Sequence, residues 1–189
     1  MTGRHHIEWL IIAMVAAVLA GCSSAEEGRI AAGVRTVTRA VAVLHPTEGW
    51  EAWGTVTFSA SDSGIVIRAE IRGLTPGLHG FHIHEWGDCT APDATSAGGH
   101  FNPDASPHGA PSDRDRHVGD LGNVSADASG AAHYERTDDR VALVGPHSVI
   151  GRAVVVHAGA DDLVSQPSGN AGARVACGVI GLARESTGT

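Results

Sequence analysis

A chain of 189 residues fits one domain with a sizeable core and leaves no length for a second. Its 13 cations are all arginine and stand against 21 carboxylates, so the net charge of −8 excludes a nucleic-acid binder that works by charge. Apolar residues at 42% are ordinary, 25 glycines suit turns more than long helices, and 12 histidines are the outlier.

The opening stretch carries Arg4, runs from Leu10 to Ala20 without a charge, and ends in Leu19-Ala20-Gly21-Cys22. Its 11 uncharged residues are too few to cross a bilayer, which takes about 20. The pattern predicts an export signal over residues 1–21 and resembles a bacterial lipoprotein signal cut before Cys22, which would then carry acyl chains such as palmitate. Several chains on one residue anchor stably to a membrane, whereas one alone is marginal. The alternative is an ordinary signal peptide in which Cys22 is incidental. Residues 22–33 are rich in Ser, Ala, Glu and Gly and read as a flexible tether, followed by a domain over 34–185 and a short tail at 186–189.

Gly54, Val56, Phe58 and Ala60 alternate with Thr55, Thr57 and Ser59, Ile65, Ile67, Ala69 and Ile71 alternate with Val66, Arg68, Glu70 and Arg72, and Ser61-Asp62-Ser63-Gly64 between the runs is a turn. The two runs predict a hairpin with one apolar face. Further short runs lie at Thr36 to Leu44, Leu78 to His84, Leu121 to Ala126, Ala131 to Arg136, Val141 to Val144, Arg152 to His157 and Arg174 to Leu182. No mature segment has the period of an amphipathic helix. Many short strands broken by Gly and Pro predict an all-β Greek-key barrel or sandwich.

Between His84 and Val118 the chain turns rich in Gly, Pro, Asp and Ser, too long for an ordinary connection. On the strand entering it, Phe81 and Ile83 point to one face while His82 and His84 point to the other, about 7 Å apart. Alone, such a pair reads as solvated polar residues as readily as half a metal site. His100, His108 and His117 follow at intervals of eight and nine, with Asp120 three residues later, all placed on this loop. Three imidazoles and a carboxylate form a closed tetrahedral set suited to structural Zn²⁺. Asp120 has a second reading, a turn former between Gly119 and Gly122. His157 ends the run Val154-Val155-Val156, where it could join His82 and His84 in an imidazole-rich site that favours copper.

With these residues in view, the chain resembles the copper,zinc superoxide dismutase family from about Val34 to Ala183. The matching motifs are Gly80-Phe81-His82-Ile83-His84-Glu85, Gly98-Gly99-His100-Phe101-Asn102-Pro103, Arg116-His117-Val118-Gly119-Asp120-Leu121-Gly122-Asn123, Val155-Val156-His157, Ala160-Asp161-Asp162-Leu163 and Gly169-Asn170-Ala171-Gly172-Ala173-Arg174 through Cys177-Gly178-Val179. The resemblance implies an eight-stranded barrel with long metal-binding loops and an oxidoreductase that dismutates superoxide. It implies one copper per subunit on His82, His84, His100 and His157, and one zinc on His100, His108, His117 and Asp120. His100 would bridge both ions and, with Arg174, act in catalysis. Asp161 would link His82 to His108 by hydrogen bonds, and Arg174 would draw the anionic substrate. Without the match, Asp161 reads as a loop residue and Arg174 as a surface arginine.

Cys89 and Cys177 remain once Cys22 is given to lipid, an even pair in an exported domain, and are expected to be oxidised. In the chain-entropy model a bridge across that separation contributes about 4 to 5 kcal/mol. His79 resembles a family histidine that hydrogen-bonds backbone, and Trp50, Trp53 and Trp86 are expected to pack. Asn123-Val124-Ser125 fits a glycosylation acceptor, improbable in a bacterial-type lipoprotein. Two departures bear on mechanism. Leu163 to Ala173 is short and uncharged, whereas better-known animal and plant members have a longer loop and lysines beside the copper channel, so strong long-range steering is not expected. Cys89 also lies nearer His84 than in those members. The expected partners are superoxide and a membrane, reached through Cys22 on the periplasmic or cell-surface side, with no nucleic acid. The protein is expected as either a monomer or a homodimer. The rival reading is a copper- and zinc-binding envelope lipoprotein that buffers metal without turnover, and retention of every ligand and Arg174 argues against it.

Overall fold

The computed structural model describes residues 36–184, and the compact unit that holds the barrel begins at Val37. The signal, tether, Cys22 and tail expected at 1–33 and 186–189 lie outside the described residues. Strands β1 (Arg39–Pro46), β2 (Trp53–Ser61), β3 (Gly64–Arg72), β4 (Gly77–His84), β5 (Asp120–Ala126), β6 (Ala132–Asp138), β7 (Ala153–His157) and β8 (Arg174–Leu182) form a closed barrel in the order β1-β2-β3-β6-β5-β4-β7-β8. All pairs are antiparallel, and closure of β8 on β1 removes the exposed edges an open sheet would leave.

The alternation read in the sequence sets the core. Val56 and Phe58 on β2 and Ile67 and Ile71 on β3 are buried inside, with Leu44, Phe81, Ile83, Leu121 and Ile180. The same alternation turns Trp53 outward, since its neighbours Ala52 and Gly54 are buried. Trp50, Trp53 and Trp86, expected to pack, are 40%, 55% and 58% exposed. The run Val141 to Val144 is not a strand either. Val141 and Leu143 are buried, but Ala142 bonds back to His147 and Val149 across the Gly145-Pro146 turn, so this segment caps the barrel instead of extending it.

β7 departs from alternation for a different reason. All five of its residues are buried: Val154 and Val156 face the main core, while Ala153 and Val155 pack in a second cluster with Ala94, Ala97 and Cys177. The first part of the long loop supplies that outer cover, and a disulfide between Cys89 and Cys177 fastens it to β8 (Cα–Cα 5.8 Å). A strand covered on both faces reads as an unbroken apolar run. The outer faces of β4 and β7 are therefore roofed by loop, and the histidines sit beneath this roof.

Candidate metal centre

β4 fixes the first two imidazoles. Phe81 and Ile83 enter the barrel core, which turns His82 and His84 outward beneath the loop, their ring centroids 6.5 Å apart. The loop is laced to β4 by main-chain bonds: Phe101 N–H to Ile83 O (2.8 Å), Ile83 N–H to Gly119 O (2.9 Å) and Gly119 N–H to Phe101 O (2.9 Å). Gly119 permits this approach, since a Cβ there would lie 2.2 Å from Ile83 O. The lacing brings His100 and His117 beside β4. Asp120, expected on the loop, opens β5 instead and pairs with His82 across the β4–β5 bulge. His157 closes the group from the end of β7.

Two sets of ligand atoms result, with the atoms of each set within 4.8 Å of one another: His82, His84, His100 and His157, and His100, His108, His117 and Asp120. All seven residues are buried. In the first set the protons are held on the far side of the rings. His82 donates from Nε2 to Asp161 Oδ2 (2.8 Å), His84 from Nδ1 to Gly98 O (2.9 Å) and His157 from Nδ1 to Gly172 O (3.1 Å). In a neutral ring the remaining nitrogen is then a bare lone pair. His84 Nε2 and His157 Nε2 face each other at 3.4 Å, and His82 Nδ1 and His100 Nε2 are the buried side-chain atoms without a hydrogen-bond partner among the described residues. Burial, the largest influence, holds His82 below its ordinary pKa, His84 well below it, His100 at about 4 and His157 at about 3, so these rings are neutral near pH 7. Four lone pairs converging in a desolvated space repel unless a cation lies among them. The donor set fits a metal ion of imidazole preference.

The second set is organised around charge. Asp120 Oδ1 lies 2.8 Å from His100 Nδ1, 3.0 Å from His108 Nδ1 and 3.1 Å from His117 Nδ1, more contacts than two lone pairs satisfy. Its other oxygen accepts from the N–H groups of His117 (2.9 Å) and Gly109 (3.2 Å). Burial alone would raise the Asp120 pKa, but the three histidines outweigh it and keep the group ionised. His108 faces carboxylates through both nitrogens, with Nε2 3.0 Å from Asp161 Oδ1. Burial opposes its charge, yet the bonds to Asp120 and Asp161 outweigh this and lift its pKa to about 9. A proton or a metal cation at Nδ1 can meet that demand equally. His100 turns Nδ1 toward this set and Nε2 toward the first, so one ring faces both.

The sequence pointed to Asp161 and Arg174 only through resemblance. Asp161 accepts from His82 and His108 with its two oxygens, and these bonds overcome the effect of burial and hold its pKa low. The half-buried guanidinium of Arg174, paired across β7–β8 with His157, donates to Ala94 O (2.5 Å) and Gly98 O (2.6 Å). His79 lies behind His157, its ring nitrogens 2.8 Å from His157 O and Thr75 O.

Other supports carried no assigned role in the sequence reading. Arg116, 1% exposed, bonds Asp138 Oδ2 at 2.6 Å and reaches Pro111 O (3.1 Å) and His117 O (2.9 Å), tying the second set's loop to the end of β6. Its place next to His117 was the one available signal; Asp138 offered none. Gly169 sits against the Asp161–His108 bond, where a Cβ would fall 1.8 Å from Asp161 Oδ1 and 2.8 Å from His108 Nε2, and its φ of +66° also favours glycine.

The sequence profile of the copper/zinc superoxide dismutase family matches residues 52–180. An extracellular superoxide dismutase [Cu-Zn] of Brugia pahangi is 49% identical over 160 residues, covering 78% of this chain and 79% of that protein. The crystal structure of the clock protein EA4 superposes with a TM-score of 0.73 at 47% identity, covering 80% of this chain and 98% of that one. On the profile match and on an identity of 49% across most of its length, the chain belongs to the copper/zinc superoxide dismutase family.

Proposed function

We propose that His82, His84, His100 and His157 hold copper, that His100, His108, His117 and Asp120 hold zinc, and that the protein uses this pair to dismutate superoxide to dioxygen and hydrogen peroxide. The observation that carries the assignment is His100, whose Nε2 is buried and unpartnered toward one set while Nδ1 lies 2.8 Å from Asp120 in the other. When bound, copper supplies the one-electron chemistry, accepting an electron from one superoxide and returning one to the next, while zinc supplies charge without redox chemistry.

The chain's own residues supply the rest. Asp161 and the carbonyls of Gly98 and Gly172 hold three rings in the tautomer that offers a lone pair. Arg174 spends two of its five N–H groups on Ala94 and Gly98, and the others remain to receive a small anion beside His157. His100 can hold a proton at Nε2 and release it toward a reduced oxygen species. The uncharged segment Leu163 to Ala173 adds no cation to the approach, so recognition rests on Arg174 at short range.

The reading extends to place. Residues 1–21 direct export, Cys22 carries lipid, residues 22–33 tether the domain at 34–185, and the protein works at the envelope as a monomer or homodimer. The apolar run ending in Leu-Ala-Gly-Cys supports the anchor, and the relative named extracellular supports export.

The test is to purify the protein, load copper and zinc, count metals and measure superoxide removal beside His157→Ala and Arg174→Ala. His157→Ala is expected to lose copper and activity together. Arg174→Ala is expected to keep both metals and lose roughly 10- to 100-fold in rate, the worth of a charge-assisted contact. A fully metal-loaded protein without dismutation would sink the reading and leave a metal buffer.

A further inference from the structure

Two side-chain amides join the segments around the metal centre, and each grips a main chain with both of its polar atoms. Asn123, on β5, donates from Nδ2 to Asp161 O (2.9 Å) and accepts at Oδ1 from Asp161 N–H (2.8 Å). Gln166, in the uncharged loop before β8, accepts at Oε1 from His108 N–H (2.7 Å) and donates from Nε2 to His108 O (2.9 Å) and Val164 O (3.2 Å). One hydrogen bond leaves a residue free to swing about it, whereas two from a planar amide, one to its N–H and one to its C=O, set both place and tilt. The two residues whose main chains are so gripped supply the two ends of one side-chain hydrogen bond, from His108 Nε2 to Asp161 Oδ1 (3.0 Å).

The contacts close on themselves. From Asn123 the path runs to Asp161, along the loop to Gln166, across to His108, through its Nδ1 to Asp120 (3.0 Å), and back along three residues of β5 to Asn123. One branch leaves the circuit, from Asp161 Oδ2 to His82 (2.8 Å). We infer that Asn123 and Gln166 are positioning residues that set the geometry of both metal sites together, by holding Asp161 and His108 at a fixed offset while Asp161 orients His82. An uncharged loop has no ion pairs with which to dock, and the amides take their place. The glycosylation acceptor read at Asn123 is accounted for in the same way, since its amide nitrogen is already engaged.

The inference rests on the metal-centre reading, and the experiment separates the two. Gln166→Ala, Gln166→Glu, Asn123→Ala and Asn123→Asp are compared with the unaltered protein. The readouts are zinc retention against a chelator, the electron paramagnetic resonance spectrum of bound Cu(II), the absorption of Co(II) placed in the second set, and thermal unfolding. Gln166→Ala and Asn123→Ala are expected to weaken zinc retention at least about tenfold and to shift both the Co(II) and Cu(II) spectra. Gln166→Glu and Asn123→Asp, which keep the acceptor and lose the donor, are expected to fall between. Unchanged spectra and zinc retention in folded alanine variants overturn the inference, and so does a loss of thermal stability alone. A change confined to the second set overturns the joint setting of the two sites. Failure of the unaltered protein to bind either ion overturns the metal-centre reading instead.

Discussion

The two ligand sets share a ring yet are built on opposite principles. Three members of the first, His82, His84 and His157, stand on barrel strands whose other faces fill the core, and the set contains no carboxylate. Two members of the second, His108 and His117, lie on a long loop, and the set is ordered around an ionised Asp120 that burial alone would neutralise. The sheet positions the first whether or not an ion is bound. The second depends on charge and on a set of fastenings: Arg116 to Asp138, Gln166 to His108, and Asp161 packed against Gly169. A site made of strand can remain ready for its metal, whereas a site made of loop needs its metal as part of its structure.

Removing a fastening should therefore injure the second set first, and the largest effect is expected at Arg116. Arg116→Ala removes the 2.6 Å partner of buried Asp138, leaving it the longer contact to Arg136 Nε (3.3 Å), and strips its own bonds from the carbonyls of Pro111 and His117, together a loss of about 3 to 5 kcal/mol. Urea unfolding of the metal-free protein measures this, and a loss below about 1 kcal/mol would show that the loop is held elsewhere. Gly169→Ala comes next, since its Cβ cannot coexist with the Asp161–His108 bond. Zinc retention against a chelator is expected to fall up to about 100-fold, with copper retention affected less. Equal losses of the two metals would erase the contrast between strand and loop. The smallest effect concerns protons. His108, lifted to about 9, is protonated at pH 7 before zinc binds and must release that proton when Nδ1 becomes a ligand. Titration calorimetry in two buffers of different ionisation heat should find close to one proton released at pH 7 and progressively less as the pH rises past 9. Release that does not change with pH would show that this charge is not supplied by His108.

The strand-borne half of the centre was legible in the chain because alternation is a local pattern. Phe81 and Ile83 inward require His82 and His84 outward, and the run before His157 declares a doubly covered strand. The loop-borne ligands were legible as histidines with no strand to occupy, and grouping them with Asp120 already set them apart from His82, His84 and His157, while the sharing of His100 between the two sets came from resemblance. The run Val141 to Val144 misled because burial against a barrel end and burial within a sheet leave the same apolar letters. The tryptophans misled because size suggests packing, while alternation, which turned Trp53 outward, was the better guide. Asn123, Gln166 and Asp138 were not assigned their roles because their partners are main-chain atoms 38 and 58 residues away or an arginine 22 residues back. A bond to a peptide leaves no mark on the identity of the residue that supplies it.

The carbonyl of Gly98 accepts from His84 Nδ1 at 2.9 Å and from Arg174 at 2.6 Å. One oxygen thus serves as the datum from which the proposed copper ligand and the guanidinium proposed to receive the anion are both measured. His84 stands on β4 and Arg174 on β8, so the shared carbonyl ties two strand-borne side chains to each other as well as to the loop. The span between ring and guanidinium is in this way referred to a single atom, much as a caliper's opening is read from one fixed jaw.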